Sequence, residues 1–190
     1  MKACEPIFLG FLPKKIITEL KGMDNLKLIG SVSSCIANSP PDMYSSDKPW
    51  NYNKAAIFDT EQDAEVEIPQ KERDKYRLFA YKTYNLEIDK NGVREIDIGE
   101  KLPKVTDKIN PNPDLTDFVF IGYDLVQEIN VLHYGCSPLS CNGLFRNFEV
   151  NEYCLMDEIE SAVNAAMKFE EIGAEPPPYY LFEVYMKCIP

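Results

Sequence analysis

Asn91-Gly92 stands between two β-rich stretches, and this constrains the fold more than any other feature of the chain. Both residues tolerate the positive backbone angles of a two-residue hairpin corner. Ahead of them, Tyr76 to Asp89 is dense in aromatic and branched side chains and predicts one long strand. Val93 to Ile98 is its returning partner, so the chain is committed to at least one antiparallel pair. The same window invites a calcium reading, with Asp89, Asn91, Asp97 and Glu100 near loop-ligand spacing. Its glycine falls too early and Val93 occupies a ligand position, so calcium is rejected.

The remaining elements fit around that hairpin. Pro6 to Leu12 predicts a short buried strand, and Pro13 sits where it can open a helix over Lys14 to Lys21, with Ile16, Ile17 and Leu20 on its apolar side and Gly22 as its cap. Leu26 to Ser33 is a further strand candidate, weakened by Gly30. Lys54 to Phe58 is a short strand. From Asp59 to Glu67, the acids Glu61, Asp63, Glu65 and Glu67 alternate with Ala64, Val66 and Ile68, which predicts an extended segment whose aligned carboxylates can hold a cation but more commonly face water. Phe118 to Val126 predicts a central strand in which Gly122 marks a bulge or a close backbone approach.

Leu155, Ile159, Ala162, Ala166 and Phe169 then recur at helical spacing. Asn151 is the expected N-cap and Gly173 the expected C-terminal cap. A final strand from Tyr179 places Tyr180, Phe182, Val184, Met186 and Cys188 on one face, and Glu183 and Lys187 on a partly wet one. Together these give an α+β fold, a single domain over residues 1–190. A mainly antiparallel twisted sheet carries a short N-terminal helix and a longer C-terminal helix packed on it.

Charge narrows the function classes. Lys plus Arg number 20 against 31 Asp plus Glu, a formal net charge of −11 that repels phosphate backbones, so no direct nucleic-acid contact is expected. Much of the excess lies from Asn142 to Glu175, where Glu149, Glu152, Asp157, Glu158, Glu160, Glu170, Glu171 and Glu175 face only Arg146 and Lys168. That surface suits a basic protein partner, although acidic helix faces commonly serve solubility alone. No run approaches membrane-spanning length, and the early apolar run lacks a basic leader, so the expected setting is cytoplasmic, with the six cysteines as reduced thiols and no membrane contact.

Two sets of residues are candidates for a site. Tyr44, Trp50 and Tyr52 lie in a turn-rich loop and can form an aromatic binding surface; the commoner fate of a lone loop tryptophan is to pin its loop to the core. The second set is His133, Cys136, Cys141 and Cys154, with Cys35 as a further thiol. One histidine and three thiolates satisfy tetrahedral zinc, but the spacing lacks the tight paired knuckle of strong zinc sequences. Alternatively, His133 deprotonates Cys136, Cys141 or Cys154 to make a catalytic thiolate. Cys154 gains from an expected helix N-terminus and loses from its acidic neighbours. Without chemistry, the stretch from Cys136 to Gly143 is a buried connector. Leu139, Cys136 and Cys141 are then its apolar anchors, while Ser137, Ser140 and Asn142 satisfy backbone groups.

The segments SVSSCI (32–36 and its preceding serine), GYDLV (122–126), CSPLSCNG (136–143), VNEYCL (150–155) and YYLFEV (179–184) carry a resemblance to a family of uncharacterised bacterial proteins. The resemblance implies a bacterial, cytosolic setting and brings no activity, cofactor or partner with it. The leading expectation is therefore an acidic protein-binding or accessory module, in a defence or toxin-neutralising role, with no cofactor. The alternative is a Cys- and His-centred enzyme or structural zinc protein built on residues 133–154.

Overall fold

The computed structural model describes residues 5–19, 25–29, 57–98, 112–130, 133–134 and 136–188, with side chains left undescribed at 128–130 and 133–134. The arrangement is α+β: an antiparallel sheet with helices packed on it. In chain order it comprises β1 (Ile7–Lys15), α1 (Glu61–Val66), β2 (Tyr76–Thr83), β3 (Leu86–Asp89), β4 (Gly92–Glu95), β5 (Phe118–Asn130), β6 (His133–Tyr134), α2 (Ile159–Phe169) and β7 (Tyr179–Lys187). No helix among the described residues is long and apolar enough to cross a membrane.

The last strand is the centre of the sheet. Along one edge β7 pairs with β5, from Phe118 opposite Lys187 to Gln127 opposite Tyr179. Along its other edge it pairs first with β2, Thr83 lying opposite Phe182, and then with β3, Ile88 lying opposite Tyr179. Its two faces enter separate apolar clusters. Tyr180, Phe182 and Val184 pack with Leu9, Leu12 and Phe79, whereas Tyr179 and Leu181 pack with Leu125, Leu139, Ala162 and Phe169 beneath α2. A strand covered on both sides buries consecutive residues, so the expected wet face is absent from Tyr179 to Val184.

Several expectations are corrected here. From Lys14 to Glu19 the chain does not turn helical. β1 runs through Pro13 to Lys15, and Ile17 bridges Leu28. Pro13 fits because the N–H of Phe11, two residues earlier on the same strand edge, points away from β2 to the carbonyl of Phe58. The N–H that proline lacks would likewise have pointed away from β2. Conversely, Glu61–Val66 is helical rather than extended. Thr60 Oγ1 accepts from Asp63 N at 3.1 Å and caps the helix. Ala64 is buried while Val66 is 75% exposed, which breaks the alternation. The helical turn brings Glu61 and Glu65 onto one side, where both pair with Lys187.

The long strand from Tyr76 divides at Tyr84-Asn85, where Asn85 accepts from Ile96 N and, through its side chain, from Ile98 N. β2 and β3 thus follow each other along one edge of β7. The hairpin forms one residue earlier than the dipeptide suggests: Asp89 pairs with Gly92 around Lys90-Asn91. Asp89 Oδ1 accepts from Asn91 N at 2.7 Å, and only Gly92 takes a positive φ, 125°. Gly173 ends the C-terminal helical run in the left-handed conformation, as expected. That helix starts at Ile159 rather than Leu155, since Met156 exchanges backbone bonds with Tyr123.

Candidate functional site

The stretch from Phe118 to Met156 folds back along the outer edge of β5. Asn151 organises the return without capping a helix: its Oδ1 accepts from Tyr153 N at 2.9 Å and Leu155 N at 3.2 Å, and its Nδ2 donates to Ile121 O at 2.7 Å and Asp157 Oδ1 at 2.8 Å. The return passes against Gly122, where β5 carries the expected bulge. Next to it, Asp124 is buried; its Oδ1 accepts from Leu125 N at 2.9 Å and from Ser137 Oγ at 2.6 Å. Ser137 in turn accepts at its carbonyl from Cys141 N, and Leu139 is fully buried. The connector is thus held by Ser137 and Leu139, while Cys141 and Asn142 are exposed and Cys136 and Ser140 half-buried.

This geometry separates the cysteines by environment. Cys154 is buried with a positive φ of 60°, and its thiol is pushed up to about 11 by burial and then by the Asp124 charge. It precedes α2 by several residues and so gains nothing from a helix N-terminus. His133 contributes backbone to β6, opposite Asn130. Cys35, Tyr44, Trp50 and Tyr52 lie outside the described residues. Among the described residues, no group of three or more His, Cys, Asp or Glu side chains is placed to hold a metal.

A different constellation lies on the β7 face that α2 only partly covers. Antiparallel register places Tyr123 and Lys82 on either side of Glu183, and Phe120 opposite Tyr185. Glu183 is 8% exposed, and its two oxygens are satisfied separately: Tyr84 donates to Oε1 and Tyr185 to Oε2, the latter at 2.7 Å. Phe120 packs edge-on against Tyr123 and Tyr185, with ring centroids 5.1 and 5.5 Å away. Lys82 Nζ sits over the Tyr185 ring, 4.9 Å from its centroid.

The electrostatics follow from that packing. Burial raises the Tyr84 and Tyr185 phenols well above their usual range, and the hydrogen bond to Glu183 and its charge add to the shift. Tyr123 is raised by burial, then by Glu183, while Glu158 at the start of α2 adds in the same direction. These phenols are therefore donors at neutral pH. Phe120 is 40% exposed, which leaves apolar surface open beside the buried carboxylate; Val119, opposite Met186, is on the other face of the sheet. Chemically, the cluster offers ring faces and an anion, a combination suited to binding.

Sequence reading missed this cluster because Tyr84 comes from the junction of β2 and β3, Tyr123 from β5, and Glu183 and Tyr185 from β7, and no local pattern reveals how these meet. The available signal was Glu183 itself, a lone acid inside an otherwise apolar strand. The chain matches no known family profile, and comparison with curated proteins and with solved structures yields no match.

Proposed function

We propose that the protein is a binding module that docks a basic protein partner on the aromatic face formed by Phe120, Tyr123 and Tyr185, beside the acidic start of α2. The observation that carries this reading is the exposure of Phe120 next to the half-buried Tyr123 and Tyr185. Exposed aromatic side chains held rigidly on a strand supply contact area at small entropic cost, and interface centres favour them. Asp157, Glu158 and Glu160 are exposed close by in sequence to the Met156–Tyr123 bridge, which fits a charged rim. The net charge of −11 favours fast encounter with a cationic partner, as an accessory or toxin-neutralising protein requires.

The test is a photo-crosslinking residue placed at Phe120, with one at the exposed Val66 as control, in lysate of the native host. A single basic protein captured from position 120 alone, with a yield that falls as salt is raised, is the expected result. Equal capture from both positions, or a yield indifferent to salt, overturns the reading.

A further inference from the structure

Glu183 is the anion at the centre of the aromatic face, yet among the described residues it meets no lysine, arginine or histidine within ion-pair distance. Its partners are the two phenols. A carboxylate this buried is ordinarily paired with a cation, because hydrogen bonds alone replace only part of the hydration it has lost. The nearest candidate is Lys82, which lies directly opposite on β2, and its ammonium instead rests on the Tyr185 ring. The rings of Phe120, Tyr123 and Tyr185 stand at steep angles to one another around the same spot. Ring faces carry partial negative charge, so rings and carboxylate together favour one cationic group.

We infer that the Glu183, Tyr185 and Tyr123 cluster is a receptor for a single lysine or arginine side chain of the partner, with the Lys82 ammonium as an internal competitor on the Tyr185 ring. The inference rests on the proposed binding face and names the chemistry of its central contact. Docking proceeds by exchange: the incoming cation takes the ring face and approaches the carboxylate, while Lys82, half-buried at the rim, swings its ammonium into water. Tyr84 and Tyr185 keep their bonds to Glu183 and hold it in place. Phe120 covers the aliphatic stem of the incoming side chain.

The experiment uses the full chain with isotope-labelled tyrosine rings, titrated with a five-residue Gly-Ser peptide carrying one central lysine, arginine or norleucine. The lysine and arginine peptides are expected to shift the Tyr123 and Tyr185 ring signals saturably, and the norleucine peptide to leave them in place. Lys82→Met should tighten the lysine peptide several-fold, and Glu183→Gln, which keeps the shape and removes the charge, should weaken it by about tenfold or more. Equal response to norleucine, or unchanged affinity in both variants, overturns the receptor. If Glu183→Gln fails to fold, Lys82→Met and the norleucine comparison decide alone. Specific crosslinking at Phe120 without any peptide response sinks the receptor but keeps the docking face, whereas a peptide response without a crosslinked partner sinks the docking face alone.

Discussion

Ser137 Oγ donates to Asp124 Oδ1 at 2.6 Å, with both residues buried, and this bond fastens the 137–141 turn to the outer edge of β5. Removing the hydroxyl leaves a buried carboxylate one donor short. Ser137→Ala is therefore expected to lower stability by about 1–3 kcal/mol. Ser140 and Asn142, half-buried and exposed, carry little of that load, and their alanine variants should stay within about 0.5 kcal/mol of the parent. Urea midpoints at constant slope measure the difference. Equal losses for all three would return the load to the whole turn.

Gly122 separates conformational strain from crowding. A Cβ there would lie 2.8 Å from Leu155 Cβ and 2.9 Å from both Asn151 Nδ2 and Met156 O, at a φ of +136°. At Gly92 the φ is similar, +125°, but the added carbon meets open space. Gly92→Ala should thus show strain alone, about 1–2 kcal/mol, while Gly122→Ala adds overpacking and should cost about 2 kcal/mol more. If the two variants melt together, the return segment yields easily and the close approach is not needed for stability.

The contrast between these sites shows what was legible. Turn and period signals acted locally, so the hairpin at Asn91, the Gly122 bulge, the α2 stripe and the Gly173 cap were readable from neighbours in the chain. Pro13 misled because its effect depends on which strand edge its missing N–H faces, and Thr60 was overlooked because the alternation of acids and apolar residues from Asp63 to Ile68 looked like a strand. Glu183 illustrates the limit more sharply. Its partner Tyr84 is 99 residues away, and whether an acid in the final strand is wet depends on what packs over it. The fold class followed from patterns; the cluster required register.

Thiol accessibility offers a separate check on the Cys154 environment. Brief alkylation of native protein at pH 7.5, followed by peptide mass mapping, should modify Cys141 and Cys188, which are exposed, well before Cys154. Cys154 is buried and its thiol is pushed up to about 11, so it lacks both access and thiolate. It should react only once the chain is unfolded. Rapid native labelling of Cys154 would revive it as a nucleophile and show that its thiol is accessible in the folded chain.

Alkaline pH should weaken the fold through the same buried acids. Cys154 is raised from about 9 to about 11, and Tyr179 from about 10 to about 12, by burial first and then by the Glu170 and Glu175 charges. In both, the folded chain holds its proton more tightly than the unfolded chain does. Their contribution is therefore complete below the unfolded value and is lost as pH rises through the folded one. The Tyr84 and Tyr185 phenols shift in the same direction. Each two-unit shift corresponds to at most about 3 kcal/mol. The denaturant midpoint should fall steadily from pH 9 upward, and Cys154→Ala should flatten the part between pH 9 and 10, where the tyrosines of the unfolded chain are at most about half ionised. Tyr179→Phe should act mainly above pH 10. A slope between pH 9 and 10 that is unchanged by Cys154→Ala would show that the thiol is not held neutral by burial beside Asp124.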